Sequence, residues 1–170
     1  MSKTVSLVGT VLEELRAAFC NEERPPLGGV TAPPEHRPGG DVALDGLWNE
    51  GCRGLAFVNV LQMYRTPEFP NEVPTASPCR HPLTVVLQVG VARCVATVDD
   101  HGAAPPADDM ERDALIGIDD AERLERAMCR ALKRADERGI MVQGQAAGVQ
   151  PTGPAGGALA WTMNATIQLS

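Results

Sequence analysis

From Leu159 to Leu169 every second residue is apolar: Leu159, Trp161, Met163, Ala165, Ile167 and Leu169. The residues between them are small or polar: Ala160, Thr162, Asn164, Thr166 and Gln168. Successive side chains of an extended strand point to opposite faces, so this period fits a strand that is dry on one side and wet on the other. In a helix the same pattern would scatter apolar groups around the axis. Such a strand needs further strands beside it and a layer over its apolar face. Leu83–Ala96 (LTVVLQVGVARCVA) gives the strongest strand signal, long and β-branched, with Leu83, Val85, Leu87, Val89 and Val91 on one face and a bend or bulge at Gly90. Gly54–Tyr64 reads as another strand and Ile140–Val149 as a weak one, while Pro151–Gly157 (PTGPAGG) reads as a turn.

The covering layer is helical. Val5, Val8, Val11, Leu12, Leu15 and Phe19 recur at three- and four-residue steps, which predicts an amphipathic helix from Thr4 to about Cys20. Glu13, Glu14 and Arg16 fall largely off its stripe. Met110, Ala114, Ile118, Ala121, Leu124, Met128, Ala131 and Ala135 predict a longer helix from Ala107 to about Arg138, with a weak point at Gly117. Its front is acidic (Asp108, Asp109, Glu111, Asp113, Asp119, Asp120) and its back basic (Arg123, Arg126, Arg130, Lys133, Arg134, Arg138), which suits the helix dipole. Most of this charge reads as a solvated face. The sharper reading makes Arg126, Arg130 and Arg134 a subunit interface that meets an acidic surface of a neighbouring copy. Gly139 is placed to end the helix.

The order α, loop, β, β, α, β, β predicts an α+β fold: a mainly antiparallel sheet of about four strands with two helices packed on one face. The 170 residues fit one domain, 1–170. Asn21–Glu50 is rich in Pro and Gly and reads as a long loop or arm, with Asp41–Trp48 as a short extended piece. Pro67–His81 and Asp99–Pro106 are turn-rich connections.

A formal net charge of -7 argues against nucleic acid as a main ligand, since phosphate contacts need clustered Lys and Arg. Val5–Cys20 is too polar for a signal segment and too short to span a bilayer, so synthesis in a cytoplasm and no membrane partner are expected. The five cysteines, Cys20, Cys52, Cys79, Cys94 and Cys129, are odd in number, widely spaced and free of CxxC, so reduced and mostly buried thiols are expected. A disulfide formed after release from a cell is the lesser alternative. The histidines, His36, His81 and His101, all sit in loop-like segments. Cys79 and His81 form the one candidate nucleophile–base pair, in a proline-rich context that resembles no nucleophile motif. Joined by Cys52 or Cys94 they lack the spacing of a closed metal site. Gly39-Gly40 and Gly156-Gly157 lack the strand–glycine–helix context of a phosphate loop. No catalytic residue, cofactor or metal is therefore expected.

Four segments resemble tail terminator proteins of long-tailed, siphovirus-type phages that infect actinobacteria. They are Gly51–Tyr64 (GCRGLAFVNVLQMY), Leu83–Cys94 (LTVVLQVGVARC), Pro106–Leu132 (PADDMERDALIGIDDAERLERAMCRAL) and Pro151–Leu169 (PTGPAGGALAWTMNATIQL). Their order and spacing resemble that family from about Cys52 onward. The glycine turn followed by the Trp-containing strand is the most specific piece. The resemblance implies a small α+β subunit of the virion, made in the host cytoplasm, that assembles with itself into a ring, usually hexameric. Such a ring caps the tail tube protein at full length and offers its other face to the connector or stopper protein under the head. It also implies that the sheet lines a channel, so that Thr162, Asn164, Thr166 and Gln168 border the path of DNA that passes without specific binding; the alternative reading of these four residues is a polar strand face that only meets solvent. Related chains often carry more cysteines, including adjacent pairs, where this chain has single ones. The competing expectations are a stopper or the tail tube protein itself, a small enzyme using Cys79 and His81, and a monomeric binding module using the Asn21–Glu50 arm.

Overall fold

β3, Leu83–Cys94, is the middle of the sheet. It is apolar on one face and small or uncharged on most of the other, so it tolerates a neighbour on each edge. β2, Leu55–Arg65, and β6, Ala158–Leu169, pair with it antiparallel. The computed structural model describes residues 2–38, 47, 51–99 and 101–170, the side chain of residue 155 excepted. β1, Ala32–Arg37, lies parallel to β2 at one edge; β4, Met141–Ala146, and β5, Gln150–Ala155, pair in succession with β6 at the other. The α+β class holds. The sheet, however, is mixed and six-stranded, in the order β1-β2-β3-β6-β4 with β5 also on β6.

Two of the extra strands come from segments whose prolines suggest loop. β1 is APPEHR, inside the expected arm, and β5 is QPTGPA, where a turn was expected. Proline has no N–H to give to a ladder, but an edge strand needs donors on one side only. The turn itself shrinks to Gly156 and Gly157, both at positive φ. Of the expected extended piece Asp41–Trp48, only Leu47 lies among the described residues, and it is buried.

The two helices cover one face. α1, Lys3–Phe19, presents Leu7, Val11, Leu15 and Phe19 to the sheet. α2, Ala107–Glu137, presents Leu124, Met128, Ala131 and Ala135. They meet Val58, Val85, Leu87, Val89, Met163 and Ile167. The odd residues of β6 from Met163 onward are thus buried under helix, as their alternation requires. Gly139 (φ 64) ends α2 as a C′ residue, and the Ile140 amide returns to the Ala135 carbonyl at 2.9 Å.

A second, smaller core lies on the opposite face, built from Leu47, Leu55, Phe57, Ala92, Ala158 and Ala160. It explains Gly90, which faces Phe57 across the β2–β3 register. A Cβ at Gly90 would sit 2.4 Å from the Phe57 ring, so the glycine makes room for an aromatic and does not mark a bulge. No helix among the described residues is long and apolar enough to cross a membrane.

The cysteines correct the expectation of buried, reduced thiols. Cys52 and Cys94 are joined as a disulfide, with Cα atoms 5.6 Å apart, and Cys79 and Cys129 are exposed. Only Cys20 is a partly buried free thiol, within 3.7 Å of the Thr31 carbonyl.

Candidate functional site

The face of the sheet away from the helices divides in two. Toward Cys94 it is closed by the small core around Phe57. Toward Leu83 it presents the even residues of β6. Asn164 is exposed, Thr162 and Thr166 are half-buried, and Gln168 is buried, with Gln143 on β4 donating to its side chain at 2.9 Å. Directly opposed residues of antiparallel strands share a face. Gln88 therefore stands beside Asn164, Val86 and Gln145 beside Thr166, and Gln150 beside Thr162. Thr152 on β5 adds a hydroxyl 3.4 Å from that of Thr162. The result is a band of Gln, Asn and Thr across four strands, with one valine and no charged side chain at these register positions.

A different cluster ties the apolar face to α2. Arg93, on β3, is only 7% exposed, and Asp120, on α2, 2%. The Arg93 guanidinium grips both carboxylate oxygens, Nε to Oδ2 at 2.5 Å and Nη2 to Oδ1 at 3.1 Å. Its remaining N–H groups donate to the carbonyls of Gly28, Gly29 and Arg53. One side chain thus joins the sheet, α2, the loop after α1 and the entry to β2, next to the Cys52–Cys94 bond. Burial pushes the Asp120 carboxyl above its ordinary range, and the hydrogen bond and charge of Arg93 offset part of that. A cavity of about 90 Å3 adjoins the pair, lined also by Gly117 and Trp161. The Trp161 indole N–H lies against Gly117, where a Cβ would be 2.5 Å away, and makes no hydrogen bond.

This pair turns the first half of α2 away from its expected stripe. Gly117 and Asp120 face the sheet, while Met110 and Ile118 are 49% and 53% exposed. Sequence reading missed Arg93 and Asp120. The available signal was a charged residue, Arg93, on the odd-numbered face of a strand whose other residues on that face, Leu83, Val85, Leu87, Val89 and Val91, are all apolar, which demands a buried partner.

The candidate interface residues are placed on the outer side of the two-helix layer. Arg126 pairs with Glu122 one turn earlier, at 3.2 Å. Arg130 and Arg134 reach α1 of the same chain, where both bind Glu14, at 2.8 Å and 2.6 Å. Arg138 adds Glu13 and the Thr10 hydroxyl. Glu14 lies on the buried side of α1 and not off the stripe, with only 2% of its side chain exposed. The two arginines that pair with it are themselves half exposed. Arg130→Glu with Arg134→Glu is accordingly expected to cost about 2 kcal/mol of folding stability, a buried-pair loss reduced by solvent screening. Urea unfolding of the double variant checks this; an unchanged midpoint would mean that the α1–α2 clasp contributes nothing.

Cys79 lies in a short 3-10 turn, Pro78–Arg80, and is exposed. The His81 ring meets the Thr75 hydroxyl at 3.2 Å. Its contact there is a hydroxyl, and no group of three His, Cys, Asp or Glu side chains suited to a metal occurs among the described residues. The disulfide engages both of the other sulfurs considered with this pair. No family model matches the chain, and no curated protein matches its sequence.

Proposed function

We propose that the chain is a structural subunit that assembles into a ring on the end of a phage tail tube, terminates the tail and joins it to the head connector. The observation that carries this reading is the uncharged polar band around Thr162, Asn164 and Thr166, set on a sheet whose other face is sealed by two helices. A wall along which DNA slides must stay hydrated and must not hold phosphates. Gln, Asn and Thr meet both demands, whereas Lys or Arg would bind. The four segments that resemble tail terminators include both central strands of this band. In this reading the ring is hexameric, the tube protein docks on one side and the stopper on the other.

Disrupting the gene and imaging the lysate tests the reading. Heads filled with DNA, together with detached tails of uncontrolled length, are the expected result. Tails of uniform length already joined to heads would exclude it. The purified protein should stop at rings; growth into long rods would assign it to the tube instead.

A further inference from the structure

Three of the exposed apolar side chains, Leu27, Leu115 and Val142, line two grooves whose rims carry opposite charge. The first lies between the loop after α1 and the start of α2, where Leu27 and Leu115 are 62% and 51% exposed and Ile116 completes the floor. Its rim carries Asp108 and Glu111, which make no ion pair among the described residues; the rim arginine, Arg112, is already held by Asp109 and Asp113. The second groove is lined by Leu83, Val142 (60% exposed), Lys3 and Arg65. Lys3 is bonded to Ser170 and Arg65 to the carbonyl of His81, so neither cation is matched to an acidic side chain among the described residues.

The two grooves lie at opposite ends of the strands. The acidic one is anchored near the end of β3, where Asp113 accepts from the Ala96 amide and Asp120 holds Arg93. The basic one sits at Leu83, the start of β3. Twelve residues of strand separate these ends, about 40 Å at the usual rise. One molecule cannot close its own grooves together. A second copy can, and the exposure of Leu115 and Ile118 follows from the same Arg93–Asp120 pair that turns α2. We infer that the two grooves are the halves of a single head-to-tail contact between copies of this chain, the acidic groove of one copy receiving the basic groove of the next. Such a contact is heterologous and closes into a ring when its rotation permits. The inference rests on the ring-forming reading only for that closure. It moves the contact between copies away from Arg130 and Arg134, whose charges are spent on α1.

Sedimentation of two charge-reversed proteins tests it. One carries Asp108→Lys and Glu111→Lys, the other Lys3→Glu and Arg65→Glu. Each alone should self-associate at least about tenfold more weakly than the parent at moderate salt. Mixed in equal amounts they should assemble again, because each lysine groove now faces a glutamate groove and each native groove keeps a native partner. General damage to the fold would not be repaired by mixing. The inference is overturned if both variants assemble like the parent, or if both lose assembly and the mixture fails to regain it. A parent chain that stays monomeric at every concentration overturns the ring reading as well, so the two failures are told apart.

Discussion

Asp120→Ala is expected to lower the unfolding free energy by about 3–5 kcal/mol, a large share of what a domain of this size has in hand. The substitution leaves the Arg93 guanidinium buried at the end of the sheet with three carbonyls but no counter-charge. It also frees the first half of α2, which the pair holds against β3. Replacing both partners separates the charge effect from packing. Arg93→Met with Asp120→Leu should recover much of the loss, since an apolar pair of similar volume avoids the desolvation that the ions suffer. Guanidinium unfolding followed by circular dichroism reads both. If Asp120→Ala unfolds within about 1 kcal/mol of the parent, the pair is not the anchor described above.

Under the proposed ring-forming function, Thr162→Lys with Thr166→Lys is expected to leave the subunit folded and the ring formed, and to reduce infectious particles by about a hundredfold or more. Both residues are half-buried at the surface of the band, and a lysine stem can lie along a sheet with its ammonium in water. Repeated around a ring, two added cations per copy turn a neutral wall into one that binds phosphate, with an attraction that salt weakens. Plaque counts measure the loss, and electron microscopy checks that particles are complete. Normal titres from complete particles would show that this face does not border the DNA path. A third outcome, particles without tails attached, would place these threonines in an assembly contact.

How far the sequence reveals this fold depends on how local each cause is. β3 and β6 are legible because alternation and β-branching are properties of the strand itself. The end of α2 is legible because Gly139 acts within one turn. β1 is not, since APPEHR has neither period nor propensity and becomes a strand only because β2 offers it an edge. The rotation of α2 is not legible from its own stripe either, because it is imposed from Arg93, 27 residues earlier. Glu14 shows the same limit: its burial follows from two arginines on another helix, and its charge makes it look solvated in isolation. The disulfide joins residues 42 apart, and an odd count of scattered cysteines does not choose a pair. Of the polar band, the β6 residues are plain in the alternation, whereas the β4 and β5 contributions depend on pairings hidden by Pro151, Pro154 and a run of glycines.

The bond between Cys52 and Cys94 closes a covalent circle that contains β2, the connection 66–82 and β3, and leaves both helices and β6 outside it. A protease that cuts the chain within that connection therefore leaves one covalent molecule, whose pieces part only when the bond is reduced. A cut between Val95 and Pro106 falls outside the circle and yields two fragments held by packing alone. Of the two long connections beside the central strand, only the first can be nicked without severing the chain into separable parts.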